Sequence, residues 1–532
     1  MKKKHKFGLA LVLMLVFALQ MTVSAASNMT IAQCAIVGDQ VTVIATGTQA
    51  ASDSGEYYLF ALQPYEAGIG TRTDYCASAP AGTAVNFTTP LNYNTASSKL
   101  YCRFVVAALQ GGQFVAISNE SYITNPEAVA TKALGQPARS QKGIIVDARY
   151  TNDLTDLNCG YACYILSVNK FFEGSGVSYT YNGKNYSFSS SQVAQYDLIV
   201  PAISNQGVNL IMVVMNGYSA ATADMVPAAA RVASGQIYSY GFNVQEQIPT
   251  EKLEALMSFL ASRYNGTGHG TIHSWVVGNE VNNNMPAHYI GNMSVEQYAA
   301  DYATQFRVIY NAVKSQNRDA RVYTNIDQRW SFVDAANPLQ YPSKTFIDLF
   351  ASNVKATGDI DWALSIHPHA IPMSNARFWS IPAPYSGLNL VNGSDNTKMA
   401  TVQNMEVFVN HMKQAQMLSP AGTVRHIIIT ELGFSSTTTS EGYVSDQTTQ
   451  AAAMVYAFKK FQSLPEIEAF IIHKHLDDAG EVAIGRSYGL KTLDNTPKYA
   501  YNVFKTMDTN PSVCDFALPI IGVSSWQQLG LN

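Results

Sequence analysis

The sequence predicts an α/β protein in which a (β/α)8 TIM barrel follows a small all-β domain. Short runs of β-forming residues, separated by turn residues, occupy the chain up to about Asn125. From Gly143 onward, β-type runs alternate with amphipathic helical segments. There are eight such runs, which is the number of strands that a closed parallel barrel requires.

The first β-type runs are short and regularly spaced, which favours a β-sandwich. They lie at residues 40–46, 57–62, 100–109 and 114–118, and the last two are joined by Gln110-Gly-Gly. This region resembles an immunoglobulin or fibronectin-type module. We therefore predict a sandwich domain over residues 27–125, followed by a polar linker over residues 126–142.

The barrel is predicted over residues 143–510, and a tail covers residues 511–532. Its strands are predicted at residues 143–148, 162–168, 208–215, 273–278, 321–326, 360–366, 426–430 and 468–472. Ser294 and Gln297 form a capping-box pattern before one helix. Further helices are predicted after Thr250 and at residues 399–417, 446–461 and 497–507.

The first 26 residues have the layout of a secretory signal peptide. A lysine-rich head precedes an apolar run that ends in small residues. The run is shorter than a bilayer span requires. We therefore expect a secreted, extracellular protein with no stable membrane insertion after cleavage.

Composition narrows the class of ligand. The 532 residues are 14% charged and 47% hydrophobic, with a net charge of -4 and no long basic run, which argues against a nucleic acid partner. Thirty tyrosines among many neutral polar residues suit an uncharged polyhydroxylated ligand such as a carbohydrate, and they suit packing within the protein equally well. The six cysteines form no zinc-like cluster, and Cys76 and Cys102 are a candidate disulfide pair.

Two glutamates directly follow apolar β-type runs. Glu280 follows the fourth run, in Trp275-Val-Val-Gly-Asn279-Glu280, and Glu431 follows the seventh, in Ile427-Ile-Ile-Thr430-Glu431. The C-terminal ends of barrel strands hold the active site in enzymes of this fold. Two carboxyl groups converging there can cleave a glycosidic bond, one as proton donor and one as nucleophile, when about 5 Å separates them.

These two segments resemble the acid/base and nucleophile motifs of the clan A glycoside hydrolases. The resemblance covers about residues 143–507 and implies a retaining glycosidase without a cofactor or metal. It implies that Glu280 is the acid/base, that Glu431 is the nucleophile, and that Asn279 hydrogen-bonds the hydroxyl next to the anomeric carbon. The tryptophan that many relatives place after strand eight is missing here, where His473 follows the strand.

Other polar and aromatic residues near the strand ends are predicted to bind substrate. Arg149 is a candidate to orient the nucleophile, although relatives often place that arginine elsewhere. The predicted set is Asp147, Arg149 and Tyr150 after strand one, Asn216 after strand three, Asp327, Arg329 and Trp330 after strand five, His367 and His369 after strand six, Trp379 in the following loop, and His473 and His475 after strand eight.

Two other classes stay open. A metal-dependent barrel hydrolase would use His367, His369, His473 and His475, because His-x-His pairs at strand ends can bind a metal. The second class is a noncatalytic carbohydrate-binding or cell-surface protein on a degenerate barrel. The two intact glutamates argue against it. Aromatic residues in an expected hairpin at residues 177–188 and in the loop after strand six are further candidates for sugar contact, and these long loops favour exo action.

Overall fold

The computed structural model describes residues 28–137, 139–231 and 237–531. The predicted signal peptide therefore lies outside the described residues. Within them, no helix combines the length and the apolar character needed to cross a membrane.

The N-terminal region folds into two antiparallel sheets, as predicted. One has the strand order β1-β2-β5 and the other β4-β3-β6-β7, with β8 also paired to β6. Burial alternates along β2 and β5, so that one face of each packs into the core. The strands are β1 (Met29–Val37), β2 (Gln40–Gly47), β3 (Glu56–Leu62), β4 (Ala77–Pro80), β5 (Ala84–Pro90), β6 (Arg103–Gln110), β7 (Gln113–Ala116) and β8 (Ser121–Tyr122).

The rest of the chain forms the predicted closed parallel barrel. Its eight strands follow one another around the barrel in chain order, and each pairs in parallel with both neighbours. A two-stranded hairpin, β11 (Gly176–Tyr181) and β12 (Lys184–Ser189), lies outside it. The barrel strands are β9 (Lys142–Ile145), β10 (Tyr161–Ser167), β13 (Asn209–Met215), β14 (Ser274–Val277), β15 (Arg321–Asp327), β16 (Ala363–His367), β17 (Ile427–Ile429) and β18 (Ile467–Ile472).

The helices pack their apolar faces on the outside of the barrel. The capping box of Ser294 and Gln297 is present at the start of α5. Among the described residues the α-helices are α1 (Asp153–Asp156), α2 (Ser190–Ser204), α3 (Gln247–Arg263), α4 (Asn284–Ala287), α5 (Val295–Lys314), α6 (Ser343–Ala356), α7 (Glu406–Met412), α8 (Gln447–Gln462), α9 (Ala479–Ala483), α10 (Tyr499–Thr506) and α11 (Ala517–Ile521).

The helix predicted over residues 399–417 is shorter than expected. Only α7 forms, because Asn404 turns its side chain back on the preceding backbone. Its Oδ1 accepts a hydrogen bond from the Thr401 N–H at 2.7 Å, and its Nδ2 donates to the Asn392 carbonyl at 2.7 Å. Such local side-chain bonds compete with a helical turn.

The hairpin β11–β12 joins the barrel to the sandwich. Its turn at Asn182-Gly183 has positive φ at both residues, as a tight two-residue hairpin requires. Tyr181 is buried, and its hydroxyl lies 2.7 Å from that of Tyr101 in the sandwich. Tyr181 therefore packs between the domains, and Tyr179 and Phe188 pack against Phe259 of the barrel helix α3 instead of facing a ligand.

The candidate disulfide between Cys76 and Cys102 does not form. All six cysteines lie in the described part of the chain and carry free thiols. Cys102 is buried, and Cys76 donates a hydrogen bond from its thiol to the Leu59 carbonyl at 3.2 Å. Burial raises the pKa of the Cys102 thiol to about 12, so this thiol stays protonated.

Candidate active site

The barrel register decides which side chains enter the mouth. Every second residue of a barrel strand points into the barrel interior. Tyr323, Ala363 and Ile428 are among these interior residues. The same alternation places Asn325, Ser365 and Thr430 in the next layer toward the C-terminal ends. Asn325 Nδ2 donates to Ser365 Oγ at 2.8 Å, and the Ser365 and Thr430 hydroxyls are hydrogen-bonded. This polar layer forms the floor of the mouth.

Glu280 lies on this floor, three residues beyond β14. Its φ is +42°, a conformation that non-glycine residues rarely adopt and that surrounding contacts must hold. Its backbone N–H donates to Asn325 Oδ1. Its Oε1 lies 3.1 Å from His367 Nδ1, and its Oε2 accepts a hydrogen bond from Asn283 Nδ2 at 3.3 Å. The backbone of Glu280 is thus held by strand five, and its carboxyl group is held by strand six and by its own loop.

Glu431 faces three histidines. Its Oε1 lies 3.4 Å from His369 Nε2 and 4.0 Å from His473 Nδ1, and its Oε2 lies 3.9 Å from His367 Nδ1. Burial acts to raise the pKa of Glu431, but the electrostatic influence of His473 and His367 and the contact with His369 outweigh it and hold this pKa well below its usual range. Glu431 therefore stays ionised at the mouth of the barrel.

The two carboxyl groups converge on one region. His367 Nδ1 lies 3.1 Å from Glu280 Oε1 and 3.9 Å from Glu431 Oε2. Since both distances start from one atom, these two oxygens are at most about 7 Å apart, which admits the separation of about 5 Å that retaining glycosidases use. Both side chains are partly exposed, at 22% and 25%. A ligand can reach both.

His473 makes the largest of the charge contributions that lower the pKa of Glu431. His473→Gln is therefore expected to raise this pKa, and protonation of Glu431 then sets in at higher pH as the solution is acidified. The acid limb of the kcat/KM profile moves to higher pH, which a pH series on the best glycoside substrate measures. His426→Gln is the control, because His426 lies at the opposite end of the strand that precedes Glu431. An unchanged acid limb in His473→Gln would contradict this assignment.

Asp327 and Arg329 form an ion pair that supports the loop of Glu280. Asp327 is buried, and its Oδ2 lies 2.6 Å from Arg329 Nε and accepts from Asn283 Nδ2 at 3.0 Å. Arg329 also donates from its Nη2 to Asn283 Oδ1 at 2.6 Å. These residues position Asn283, which in turn contacts Glu280. Asp327 therefore supports the site from below, whereas the sequence predicted direct contact with substrate.

Asn279 and Arg329 border an open cavity at Glu280. This cavity has a volume of about 180 Å³, and its other lining residues include Tyr238, Pro286 and Gln340. A larger groove of about 490 Å³ shares these three residues and continues over Met285, Pro338 and Leu339. Asn279 lies beside Glu280, and a groove with both polar and apolar lining leads outward from the Glu280 side of the mouth.

The residues after strand one contact each other and His475. Asp147 Oδ2 pairs with Arg149 Nη2 at 2.7 Å, and the Arg149 side chain is 69% exposed. Tyr150 packs edge-on against His475, with ring centres 6.4 Å apart. The guanidinium is held by its own neighbour, so Arg149 does not have the predicted role of orienting the nucleophile.

Two predicted substrate residues are buried in the scaffold. Asn216 is 1% exposed, and its Nδ2 donates to the carbonyls of Met225 and Gly241 at 2.9 and 3.1 Å, so it fixes the loop after strand three. Trp330 is 1% exposed and packs edge-on against Phe408. Neither is exposed at the mouth, because the Asn216 amide nitrogen donates to backbone carbonyls and the Trp330 ring lies in the core.

Trp379 was a candidate sugar platform in the loop after strand six. It is half-buried and packs against Phe378 and Tyr456, with ring centres 5.5 and 6.1 Å apart. Tyr456 belongs to α8 on the outside of the barrel. Trp379 thus anchors its loop to a helix.

Trp330→Ala is expected to lower the free energy of unfolding by about 3–5 kcal/mol, the cost of removing a large buried aromatic side chain. The indole also donates from Nε1 to the Asp395 carbonyl at 2.9 Å, and this bond is lost. Urea unfolding measures the change. Trp379→Ala is the comparison, and a smaller loss is expected because that ring is only half-buried. Normal stability together with a raised KM in Trp330→Ala would instead indicate contact with substrate.

The four-histidine metal site does not form. His475 Nδ1 accepts a hydrogen bond from the Asp147 N–H at 3.3 Å, and its Nε2 lies 2.8 Å from Asp153. His473 Nε2 lies 3.0 Å from Glu481 Oε1. His367 and His369 instead group with Glu280, and their potential ligand atoms lie within 4.8 Å of one another.

Several residues of the site were missed from the sequence. Asn325 is an amide side chain within a predicted barrel strand, two residues before its end, and Asn283 lies in a run of three asparagines after Glu280, so both carried a signal. Thr430, next to Glu431, holds His367 through a 3.0 Å contact with Nε2. Glu481, which holds His473, lies eight residues further along the chain in the short helix α9 and carried no signal.

The fold and the site define a (β/α)8-barrel protein with paired carboxylates at the ends of strands four and seven. The chain belongs to the family of unknown function DUF5722, whose model matches residues 135–529. No curated protein matches its sequence.

Three solved structures are similar in fold. A family 39 glycoside hydrolase from the gut symbiont Bacteroides cellulosilyticus WH2 is 13% identical over 87% of this chain and 79% of its own, with a TM-score of 0.45. The β-D-glucuronidase of Dictyoglomus thermophilum is 11% identical over 91% and 69%, with a TM-score of 0.37. A Ruminococcus gnavus β-glucuronidase in complex with D-glucuronic acid is 10% identical over 90% and 68%, with a TM-score of 0.35.

Proposed function

We propose that this protein is a secreted retaining glycoside hydrolase that acts on a carbohydrate substrate without a cofactor. The observation that carries the proposal is the pairing of an ionised Glu431, held among three histidines, with Glu280 at most about 7 Å away. A carboxylate that stays ionised meets the positive charge that develops on the sugar, and a second carboxyl group can supply the proton.

The reaction follows from these two positions. An oxygen of Glu431 attacks the anomeric carbon as the glycosidic bond breaks. The oxygen of the leaving group takes the proton of Glu280. A water molecule then gives its proton to Glu280 and attacks the same carbon, which releases Glu431. Each displacement inverts the carbon, so the product retains the original configuration. Asn279, beside Glu280, is the proposed partner of the neighbouring hydroxyl.

The proposal is tested by screening plant, microbial and host glycans and by NMR of the anomer that is first released. Retention is the expected result. An inverted first product would refute double displacement. Binding of a glycan without turnover would favour a noncatalytic carbohydrate-binding protein. N-terminal sequencing of protein recovered from culture medium tests secretion, with a mature start near residue 27 expected.

The groove beyond Glu280 is the proposed binding site of the leaving group, since the proton donor stands on the leaving-group side of the bond. Tyr238 is 78% exposed at this groove. Tyr238→Ala is expected to raise KM roughly tenfold for substrates with a large leaving group, through lost apolar contact. Substrates with a methyl leaving group are the control, and equal losses for both would contradict this placement.

A further inference from the structure

Glu280, His367 and His369 also present the ligand atoms of a metal site. Glu280 Oε1 lies 3.1 Å from His367 Nδ1 and 4.0 Å from His369 Nε2, and all three potential ligand atoms lie within 4.8 Å of one another. Donors bound to a tetrahedral zinc ion at about 2.0–2.1 Å are roughly 3.4 Å from one another. The spacing of Glu280 Oε1 and His367 Nδ1 is already close to that value, and the site closes when His369 moves toward the other two ligands.

The two histidines are prepared for this role in different ways. His367 Nε2 lies 3.0 Å from Thr430 Oγ1, which fixes the ring and directs Nδ1 toward Glu280. Metal-binding histidines are oriented by such a partner on the second ring nitrogen. His369 is 3% exposed, its Nδ1 has no hydrogen-bond partner among the described residues, and its Nε2 has only the 3.4 Å contact with Glu431 Oε1 and the 4.0 Å contact with Glu280 Oε1. A buried ring nitrogen without a partner is costly, and His369 Nε2 is directed between the two carboxylates.

We propose that Glu280, His367 and His369 bind a zinc-type divalent transition-metal ion, and that this binding blocks turnover. Two imidazoles and one carboxylate suit first-row ions such as Zn²⁺, and three protein ligands leave a fourth position for water. The inhibitory part rests on the proposed function, because the ion occupies the Glu280 oxygens that the leaving group needs. Metal binding itself does not depend on that function.

Calorimetric titration of the metal-free, tag-free mature chain with ZnCl2 tests the site. One ion per chain is expected to bind. His369→Ala and Glu280→Gln each remove a ligand and are expected to weaken Kd at least about tenfold. Thr430→Val keeps all three ligands and is expected to weaken Kd about tenfold, as loss of an orienting partner does. His269→Gln, at an exposed histidine beside Asp197, is the control and is expected to leave Kd unchanged.

Thermal unfolding of each metal-free variant verifies that it folds, and the visible absorption of bound Co²⁺ reports coordination by nitrogen ligands independently of activity. No binding, or binding that His369→Ala, Glu280→Gln and Thr430→Val all retain, would overturn the site.

With a substrate in hand, Zn²⁺ is expected to abolish turnover and a chelator to restore it. Turnover that requires Zn²⁺ would overturn inhibition. Turnover without zinc binding would refute only the zinc site. Zinc binding without any turnover would refute only the proposed glycosidase function.

Discussion

Glu431→Ala is expected to lower kcat/KM by at least about 10⁴-fold, the largest effect of any single substitution in this protein. The variant loses the group that forms the bond to the anomeric carbon, and removal of a nucleophile that acts together with a proton donor abolishes most of the catalysis. Steady-state kinetics on the best glycoside from the screen measures the loss. Glu406→Ala is the matched control, since Glu406 is a partly exposed glutamate at the start of α7 on the outside of the barrel.

Adding azide to the Glu431→Ala variant tests whether Glu431 is the nucleophile. In Glu431→Ala, azide can enter from the face that Glu431 vacates, and a single displacement then gives a glycosyl azide of inverted configuration. NMR of the product identifies the anomer. An azide product with retained configuration would assign Glu431 to a different role, and full activity of the variant would refute the proposed function.

Glu280→Gln is expected to lower kcat by about 10²–10⁴-fold, the range that a positioned proton donor contributes. The amide keeps the size of the side chain but cannot give a proton to the leaving oxygen. The loss should therefore be large for poor leaving groups and small for activated aryl glycosides, whose oxygen leaves without a proton. Kinetics on a series of aryl leaving groups measures this dependence.

Azide again separates the two glutamates. In Glu280→Ala, Glu431 still forms the covalent intermediate, so azide attacks that intermediate and yields a product of retained configuration. An equal loss for all leaving groups would contradict the role of Glu280 as proton donor. The chain is a glycan-binding protein if two results coincide. The unaltered protein shows no turnover, and Glu280→Gln and Glu431→Gln bind a glycan with the same affinity as the unaltered protein.

The site was predictable where a residue type and a strand end coincided. Asn279, Glu280 and Glu431 each follow an apolar strand, so the barrel topology alone brings them to one mouth. Trp330 and Asn216 follow strands as well, yet they lie in the core. A strand end brings a residue near the mouth, but only packing of the following loop decides whether its side chain turns into the mouth or into the core.

The sequence by itself determined the two-domain architecture, the eight barrel strands and the hairpin at Asn182-Gly183, because these depend on local periodicity and turn chemistry. Only the tertiary structure decided that His367, His369 and His473 surround Glu431 while His475 bonds to Asp153. These contacts join residues that are far apart along the chain. Their distances follow from the barrel register and from loop packing, which no local pattern encodes.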